Sequence, residues 1–501
     1  MTYNRPGVYI NERLLPAPIS VTGTAQAAGA VVGYFASGPS TVTLVTSWYD
    51  FVKQFGGYNA SYPATFGVGM FFQNGGAELY VRRILHTDAV ASTVAIVKAT
   101  GSGTVATATA KSLGADGNNL RIQLSTGTIS GFYNLTVYKE TVAGTSTDVT
   151  NDTVLESYTN LTFSNAADSS FVTTVLSLQS PYVNITVSDL VNAPTLTVLP
   201  LTGGQDGTIP TASDYTNALT DFDAVDRPLV IFAPEIINQL GSSAGATVHS
   251  GLVSWAKANG KGYAVLDTDA NLSVSNAIAY ASSITPLDSR GAVYYPNFYI
   301  VDPVGRSTAS LRKVGPAGAI VGLYIYTDTT TGPFKAPAGV RANVRGALNL
   351  EKAFTAAELD TLNSATTPVN ALRNLPGAGI VSMGARTLLQ DGTANRYVNM
   401  RRSLIYIEKS LNDLTQFALF ENNDEKLWGR VRVALGTFLN QYRNQGGLRG
   451  VSASQAYYVK CDAENNPDST IQNGEVHIEV GVALQYPAEF VVINLSQKTA
   501  N

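Results

Sequence analysis

Two aspartates, Asp267 and Asp269, follow an apolar, strand-like run in the stretch YAVLDTDANL. Carboxylates at the end of a strand can bind Mg²⁺ and attack a phosphate group, so this spacing is typical of one kind of phosphate-transfer site. The same side chains can instead accept hydrogen bonds from the first turn of the helix that the next residues predict. The pair therefore leaves two interpretations open, a magnesium-dependent nucleophile and a helix cap.

The stretch resembles the nucleophile loop of haloacid-dehalogenase-type phosphohydrolases, with two departures. Asn271 stands where that family has Thr or Val, and no later pair of aspartates after a strand supplies the remaining metal ligands. Short motifs of this kind also match by chance. We therefore prefer the helix cap, and we keep a metal-dependent phosphohydrolase using Asp267 and Asp269 as the alternative function of a different class.

Two further motifs predict turns and not binding sites. Gly377 and Gly379 begin a possible dinucleotide loop, but Ser382 stands at its third glycine position. The stretch CDAENNPDSTIQNGE resembles a calcium loop, but Pro467 replaces the required glycine and Asn473 replaces the bidentate Glu. Both stretches are predicted to be structural.

The histidines and the single cysteine form no recognisable catalytic or metal-binding set. They are scattered along the chain, at His86, His249, Cys461 and His477. A nucleophile needs a base within reach, and a zinc site needs several such ligands together. The sequence thus predicts no catalytic residue, no metal ligand and no cofactor.

Composition limits the classes of partner. The chain has 501 residues, which suffices for two to four domains, and a single cysteine excludes an internal disulfide framework. Charged residues make up 14%, against about 25% in average domains, so we expect much of the surface to be covered. The net charge of -4 argues against direct binding of nucleic acid, and no apolar run approaches the roughly 18 residues of a membrane span.

The local composition and the pattern of apolar residues change along the chain. These changes predict a multidomain α+β or α/β fold with a mixed-sheet core, helices and extended terminal arms. Runs such as RPLVIFA and SGLVSWAKANG predict an α/β layer, and alternating Thr, Ser and Val predict an inserted all-β domain. The predicted division is an arm over 1–22, a discontinuous α/β middle domain over 23–86 and 201–375, a β-rich outer insertion over 87–200, and a C-terminal core domain over 376–501.

The C-terminal region predicts two amphipathic helices and an alternating strand. One apolar stripe contains Leu404, Ile407, Leu411 and Leu414, and the next contains Leu427, Val431, Leu435, Phe438 and Tyr442. Basic residues lie on the outer face or the margin of the second helix, at Lys426, Arg430, Arg432 and Arg443. This face is either solvated or it meets an acidic partner, and composition alone does not decide between the two. The predicted strand alternates at Val476, Ile478, Val480, Val482 and Leu484.

Both ends of the chain carry short segments with strong β-propensity. The first contains Pro6, Gly7, Val8, Tyr9 and Ile10, and the last contains Phe490, Val491, Val492, Ile493, Asn494 and Leu495. An unpaired strand exposes backbone groups that need partners. The segments either pair within their own chain or add a strand to a neighbouring copy.

Several motifs occur together in an order that resembles the contractile tail sheath proteins of bacteriophages and related injection machines. They are RPGVYINE, NGGAELYVRRI, LTGGQDG followed by DYTNAL, MGARTLLQDGTANRYVNMRRSLIYIEKSL, WGRVR, YVKCDAENNP and YPAEF. The chain departs from that family's pattern at Asp116, where Trp is usual, and at Asn422, where Pro is usual. The resemblance covers both ends and most of the second half, and residues 87–200 occupy the place of a variable insertion.

The resemblance implies a structural protein and not an enzyme. It implies copies of the chain in hexameric rings stacked as a helical lattice, with tail tube, baseplate and tail terminator proteins as partners. It further implies strand exchange through residues 6–10 and 490–495, a tube-facing helix carrying Lys426, Arg430, Arg432 and Arg443, and a place in the phage tail after assembly in the bacterial cytoplasm. A sheath of a phage-like bacterial injection particle is the alternative.

Overall fold

The computed structural model of the chain describes residues 23–140, 148–307 and 309–489. The two segments predicted to exchange between copies, 6–10 and 490–495, lie outside the described residues and stay predictions.

Within this part of the chain there are 20 strands and 13 α-helices. In chain order the strands are β1 (Ala28–Gly33), β2 (Thr43–Val45), β3 (Leu79–Arg83), β4 (Ala91–Val97), β5 (Thr104–Leu113), β6 (Leu120–Thr126), β7 (Tyr133–Lys139), β8 (Thr153–Leu161), β9 (Val183–Val187), β10 (Val198–Pro200), β11 (Leu229–Phe232), β12 (Gly262–Leu266), β13 (Gly291–Tyr295), β14 (Phe298–Val301), β15 (Leu311–Val314), β16 (Asn349–Leu350), β17 (Asn370–Leu375), β18 (Gly379–Ser382), β19 (Tyr457–Lys460) and β20 (Glu479–Val482). The helices are α1 (Trp48–Phe55), α2 (Ala64–Gln73), α3 (Val172–Gln179), α4 (Ala212–Asn217), α5 (Ile236–Leu240), α6 (Ser242–Asn259), α7 (Val274–Ser283), α8 (Ala317–Thr330), α9 (Ala356–Ser364), α10 (Val398–Thr415), α11 (Glu425–Asn444), α12 (Ala453–Ala456) and α13 (Asp468–Gln472).

These elements divide into two compact units. The larger unit contains the described residues of Gln26–Ile405 and those from Tyr486 onward, and the smaller unit contains Tyr406–Gln485 and those up to Ala25. The predicted boundary between residues 375 and 376 falls in the turn of the β17–β18 hairpin, so one sheet contains residues from both sides of it. The domain division proposed from the sequence stays a prediction.

An eight-stranded sheet forms the centre of the larger unit, in the order β18-β17-β13-β12-β11-β1-β3-β2. Its six inner strands run parallel, and the two edge strands, β18 and β2, run antiparallel to their neighbours. The strands β1, β11, β12 and β13 are buried throughout, as expected for parallel strands covered on both faces. The prediction of a mixed α/β fold is confirmed.

Alternate side chains of the central strands enter two hydrophobic cores. Val31 of β1 lies in one core with residues of α1, α2 and α8, while Ala30 and Val32 lie in the other with residues of α4, α6 and α7. The alternation follows from the two-residue period of a strand. The sheet thus positions the loops at its carboxyl edge between two fixed layers of helices.

The insertion carries two antiparallel sheets, β10-β6-β7-β8 and β4-β5-β9, around a third core. The prediction of an all-β segment is wrong at α3, where VTTVLSLQ forms a helix. Val172 and Leu176 stand four residues apart and are both buried, which is helical spacing within a sequence of strand-like composition. The segment belongs to the larger unit, and its status as a separate outer domain stays a prediction.

His249 of α6 is buried in the larger unit and provides a test of this packing by pH. Its Nδ1 and the hydroxyl of Tyr280 share a hydrogen bond of 2.8 Å, and its Nε2 has no partner among the described residues. Burial lowers the pKa of the imidazole from its model-compound value of 6.5 to about 3. The unfolded chain therefore takes up a proton below about pH 6.5, while the folded chain does not until about pH 3.

We expect stability to fall as the pH decreases from 6.5, with His249 contributing about 2 kcal/mol of that loss at pH 5. The thermal midpoint of the His249→Gln variant should change less between pH 7 and pH 5 than that of the wild type. His477→Gln is the matched control because the His477 side chain is exposed. An equal pH slope in wild type and His249→Gln would contradict the assignment.

Candidate assembly surface

The helix predicted to face a tube is α11, in the smaller unit. It begins where the Asp424 carboxylate accepts a hydrogen bond from the Leu427 backbone N–H at 2.9 Å, and Glu425 adds negative charge to its first turn. The predicted apolar stripe is confirmed, since the buried residues are Leu427, Trp428, Val431, Ala434, Leu435, Phe438, Leu439 and Tyr442. The opposite face carries the charged residues.

Two of the four basic residues keep their charge at the surface. Lys426 is exposed, and it has no ion-pair or hydrogen-bond partner among the described residues. Arg430 is exposed, pairs with Glu421 at 3.1 Å and lies 5.0 Å from the centre of the Phe417 ring. An ion pair between two half-exposed side chains contributes about 0–1 kcal/mol, so Arg430 can exchange Glu421 for another partner at small cost.

The other two basic residues bind the backbone of their own unit. Arg432 donates a hydrogen bond to the carbonyl of Cys461, and Arg443 donates one to the carbonyl of Val451 at 2.8 Å. Both contacts hold loops that follow α11 in the chain. Arg432 and Arg443 thus hold loops of their own unit, although Arg432 is exposed, whereas Lys426 and Arg430 do not in the part of the chain that the structure describes. A role of any of the four toward a tube stays a prediction.

An exposed apolar loop precedes α11, and the sequence analysis missed it. Phe420 is fully exposed and has a φ of 63°, and Leu419 beside it is 63% exposed. A non-glycine residue in this left-handed region costs about 1–2 kcal/mol. The run FALF directly before the departure at Asn422 was the available signal. The loop adds an apolar element at the amino end of the helix that carries Lys426.

A two-stranded antiparallel sheet lies in the same unit. β19 pairs with β20, with Tyr457 opposite Val482 and Lys460 opposite Glu479. No third described strand pairs with either one, so each strand has an edge without a strand partner in the described ranges. Two strands alone bury little apolar surface, and the side chains of both strands are half-buried or exposed.

The strand predicted from Val476 to Leu484 is shorter in the structure, where it covers Glu479–Val482. The side chain of Asn466 explains the late start. Its amide accepts a hydrogen bond from the His477 N–H at 2.6 Å and donates one to the His477 carbonyl at 3.0 Å. These side-chain bonds take the backbone groups that strand pairing would use.

The two aspartates after β12 do not form the arrangement that a phosphohydrolase requires. Asp267 is 4% exposed and its Oδ1 accepts a hydrogen bond from the Ala317 N–H at 2.5 Å, while Asp269 accepts a hydrogen bond from Ser242. The helix-cap interpretation is wrong in its partner, because Ser273 caps the following helix α7. Asp267 instead binds the first turn of α8, 50 residues further along the chain.

No group of three or more His, Cys, Asp or Glu side chains in the described part of the chain is arranged to hold a metal ion. No helix described here is both long and apolar enough to span a bilayer. The predicted turn at Gly377 and Gly379 joins β17 to β18, and both glycines have positive φ.

Residues 390–498 match the family model described as phage tail sheath C-terminal domain. The match includes α10, α11, β19 and β20. The chain is similar in sequence to curated tail sheath proteins, of which two are described. The tail sheath protein of Vibrio phage KVP40 is 26% identical over 240 residues, covering 46% of this chain and 35% of the relative, and that of Enterobacteria phage T4 is 24% identical over 254 residues, covering 50% and 34%. The aligned region thus spans about a third of the length of these relatives.

Solved structures of sheath proteins share the fold. The anti-feeding prophage helical sheath in its contracted state has a TM-score of 0.61 at 20% identity, covering 99% of this chain and 100% of that one. A sheath tail protein from Listeria innocua has a TM-score of 0.61 at 14% identity, covering 92% and 96%. The fold is that of contractile sheath subunits. The chain is similar to the contractile tail sheath proteins of bacteriophages and related injection machines, as its motifs predict.

Proposed function

We propose that this chain is the structural subunit of a contractile phage tail sheath. It polymerises around a tail tube and contracts to drive the tube through the host envelope for genome ejection. Its partners are further copies of itself, in hexameric rings stacked as a helical lattice, together with tail tube, baseplate and tail terminator proteins. It is assembled in the bacterial cytoplasm and resides in the virion tail.

The observation that carries the proposal is the β19–β20 sheet, which lies inside the segment matched by the sheath family model. Its strand edges without described partners offer N–H and C=O groups to an added strand. The β-prone segments 6–10 and 490–495 supply strands of suitable length. A few backbone bonds at about 0.5–1.5 kcal/mol each give several kcal/mol for every arm, before apolar burial is counted.

The places where the arms leave the described chain support this use. At the amino end, the Thr24 N–H donates a hydrogen bond to the Ser410 hydroxyl at 3.0 Å, so the first arm leaves from the smaller unit. At the carboxyl end, the Glu489 carboxylate binds the Arg386 guanidinium through two hydrogen bonds of 2.8 and 2.7 Å. Each arm thus begins at an anchored residue of its own chain.

Contraction then requires that each arm stays paired with the sheet of a neighbouring copy while the linker between the arm and its own folded body changes direction. Backbone bonds to a neighbour persist, and the folded bodies rotate outward around extended linkers. The extended lattice is metastable and the contracted lattice is lower in free energy, so release at the baseplate suffices to start the movement. No fuel or catalytic group takes part.

Deleting residues 1–20 or 490–501 is expected to give a folded subunit that does not polymerise, because each deletion removes one exchanged strand. The second deletion ends after Glu489 so that the ion pair with Arg386 remains. Negative-stain electron microscopy measures tube formation, and the thermal midpoint of each truncated chain serves as the folding control. Long tubes formed by either truncated chain would rule out the arm model.

Lys426→Glu is expected to weaken assembly on a tube without changing the stability of the subunit, because Lys426 has no partner among the described residues. Reversing the charge of Arg432 or Arg443 is a poorer test of tube binding. Both side chains hold loops of their own unit, so the change would also disturb the folded subunit. The matched control is Lys53→Glu, which reverses an exposed lysine on α1 of the larger unit. Co-sedimentation with tubes measures binding, and equal losses in both variants would remove Lys426 from the contact.

A sheath of a phage-like bacterial injection particle is the second candidate. The anti-feeding prophage sheath supports it, because its structure aligns over 99% of this chain and 100% of its own. Electron microscopy of particles containing this chain separates the two: DNA-filled heads indicate a phage, and headless particles indicate an injection machine.

A further inference from the structure

A small, partly open cavity lies at the carboxyl ends of β11 and β12. It is lined by Glu235, Ile236, Ile237, Asn238, Asp267, Thr268, Asn297 and Gly315, and it has room for about one water-sized particle. Glu235 follows β11 and Asp267 follows β12, and because these strands are parallel neighbours, both carboxylates reach the same edge of the sheet.

Both carboxylates are buried and fixed in place by the backbone before and at the start of α8. The Glu235 Oε1 accepts a hydrogen bond from the Gly315 N–H at 2.6 Å, and the Asp267 Oδ1 accepts one from the Ala317 N–H at 2.5 Å. Glu235 is 6% exposed and has a φ of 58°, a left-handed conformation that costs about 1–2 kcal/mol in a non-glycine residue. Strain of this kind persists where the surroundings impose it.

Three other oxygen atoms among the residues lining the cavity have no hydrogen-bond partner in the described structure. They are Asp267 Oδ2, Thr268 Oγ1 and Asn297 Oδ1, and their residues are at most 4% exposed. Buried polar atoms are almost always paired with protein, water or an ion. Three oxygens from three residues around one cavity therefore indicate a bound species that contacts all of them.

Two carboxyl groups, those of Glu235 and Asp267, line the cavity, and no Lys or Arg side chain lines it. The basic group that acts on Glu235 is Arg312, and its guanidinium already binds Asp302 at 3.0 and 3.2 Å. A positive ion between the two carboxylates would offset their repulsion, and a water molecule would not.

We propose that this cavity binds one Ca²⁺ ion through Asp267 Oδ2, Asn297 Oδ1, Thr268 Oγ1 and the Glu235 carboxylate. Carboxylate, amide and hydroxyl oxygens are ligands for hard divalent cations. Ca²⁺ fits better than Mg²⁺ because Ca²⁺ accepts irregular coordination by several protein oxygens, whereas Mg²⁺ requires nearly ideal octahedral geometry. The ion ties the ends of β11 and β12 to the start of α8, and it does so in every copy, whatever the chain assembles into.

The test uses the full-length protein after treatment with EGTA and dialysis against Ca²⁺. Elemental analysis should find about one Ca²⁺ per chain, and Ca²⁺ should raise the thermal midpoint. Asp267→Asn should lose the ion and its effect on the midpoint, and it should fold without Ca²⁺ because it removes one of two repelling charges. Thr268→Val, which removes one ligand at nearly constant shape, should bind Ca²⁺ roughly tenfold more weakly or worse.

Asp269→Asn is the matched control, because Asp269 binds Ser242 and does not line the cavity. It should retain the ion and the shift in midpoint. Wild type without bound Ca²⁺ would overturn the proposal in favour of a water molecule or a shared proton, and Asp267→Asn with bound Ca²⁺ would place the ion elsewhere.

Discussion

Replacing Arg83 with methionine is expected to lower the free energy of unfolding by about 3–5 kcal/mol. The side chain of Arg83, at the end of β3, is 0% exposed. Its guanidinium donates hydrogen bonds to four backbone carbonyls, a hydroxyl and a carboxylate: Phe35 (2.9 Å), Ala36 (3.0 Å), Gly38 (3.1 Å), Leu113 (2.7 Å), Ser112 (3.1 Å) and Asp206 (3.3 Å). Methionine fills similar volume, and it leaves these acceptors without their donor.

The loss should be large because the group is charged, buried and shared between segments. Burial lowers the pKa of Arg83, and the charge of Asp206 opposes that shift. The acceptors come from the loop after β1, from the end of β5 and from the segment that follows the insertion. Arg83→Lys should restore little, because an ammonium has three donors and lacks the planar fork of a guanidinium. Both variants should also increase amide exchange in residues 35–38 and 112–114.

Arg82→Met is the matched control, one residue away on the same strand. Arg82 is half-buried, binds Asp221, whose side chain is 46% exposed, and donates a second hydrogen bond to the Arg83 carbonyl at 2.5 Å, so we expect a smaller loss than for the fully buried Arg83. Thermal and denaturant unfolding of the two variants therefore give a direct comparison. Similar losses for Arg82→Met and Arg83→Met would mean that the buried network is not what stabilises this junction.

The sequence contained a signal for Arg83, and it was not used. In the run LYVRR, Leu79, Val81 and Arg83 fall on one side of the strand and are buried, while Tyr80 and Arg82 are half-buried. A two-residue period places an arginine among apolar residues, and such a position calls for several acceptors. Its partners could not be predicted from the sequence, because they lie up to 123 residues away.

Local patterns predicted the elements that bury a continuous face. The stripe of α11 repeats at helical spacing, and β11 and β12 are short continuous apolar runs, so one window of sequence is enough to identify each of them. The partner of Asp267 was predicted wrongly for the opposite reason. Its cap belongs to α8 and not to the adjacent α7, and no local pattern distinguishes a neighbour in sequence from a neighbour in space.

The candidate assembly surface also combines a feature that local sequence predicts with contacts that depend on the tertiary fold. The positions of Lys426, Arg430, Arg432 and Arg443 on one helix followed from its period, whereas their separation into two that hold loops and two that do not depends on where the chain returns after α11. Residue type does not distinguish the two groups, because an arginine that binds a backbone carbonyl and one that pairs with an exposed carboxylate are the same residue in the sequence. Hydrogen bonds to backbone carbonyls cannot be predicted from the sequence before the positions of the loops that carry those carbonyls are known.

Helices α2 and α8 of the larger unit pack closely against each other, and glycines make this possible. A Cβ atom added to Gly318 would lie well within 3.0 Å of the Gly67 carbonyl oxygen, and one added to Gly322 would meet the Phe71 carbonyl oxygen in the same way. The two glycines stand four residues apart in GAIVG, so they occupy one face of α8. This spacing was a second signal that the sequence analysis missed.

Gly318→Ala is expected to destabilise the protein by more than about 3 kcal/mol, although alanine is the better helix former by about 1 kcal/mol. The obstacle is backbone and not a flexible side chain, so α2 has to move away from α8 and open a gap in the core they share. Thermal unfolding measures the loss, and the soluble yield reports it if the variant fails to fold.

Gly436→Ala provides a control with the opposite expected sign. Gly436 lies in the interior of α11, and an added Cβ atom would meet nothing within 4 Å. The same substitution should therefore leave stability unchanged or raise it by about 0.5–1 kcal/mol. If both alanine variants raise the thermal midpoint, helix propensity outweighs packing at Gly318, and the contact between α2 and α8 is looser than the structure indicates.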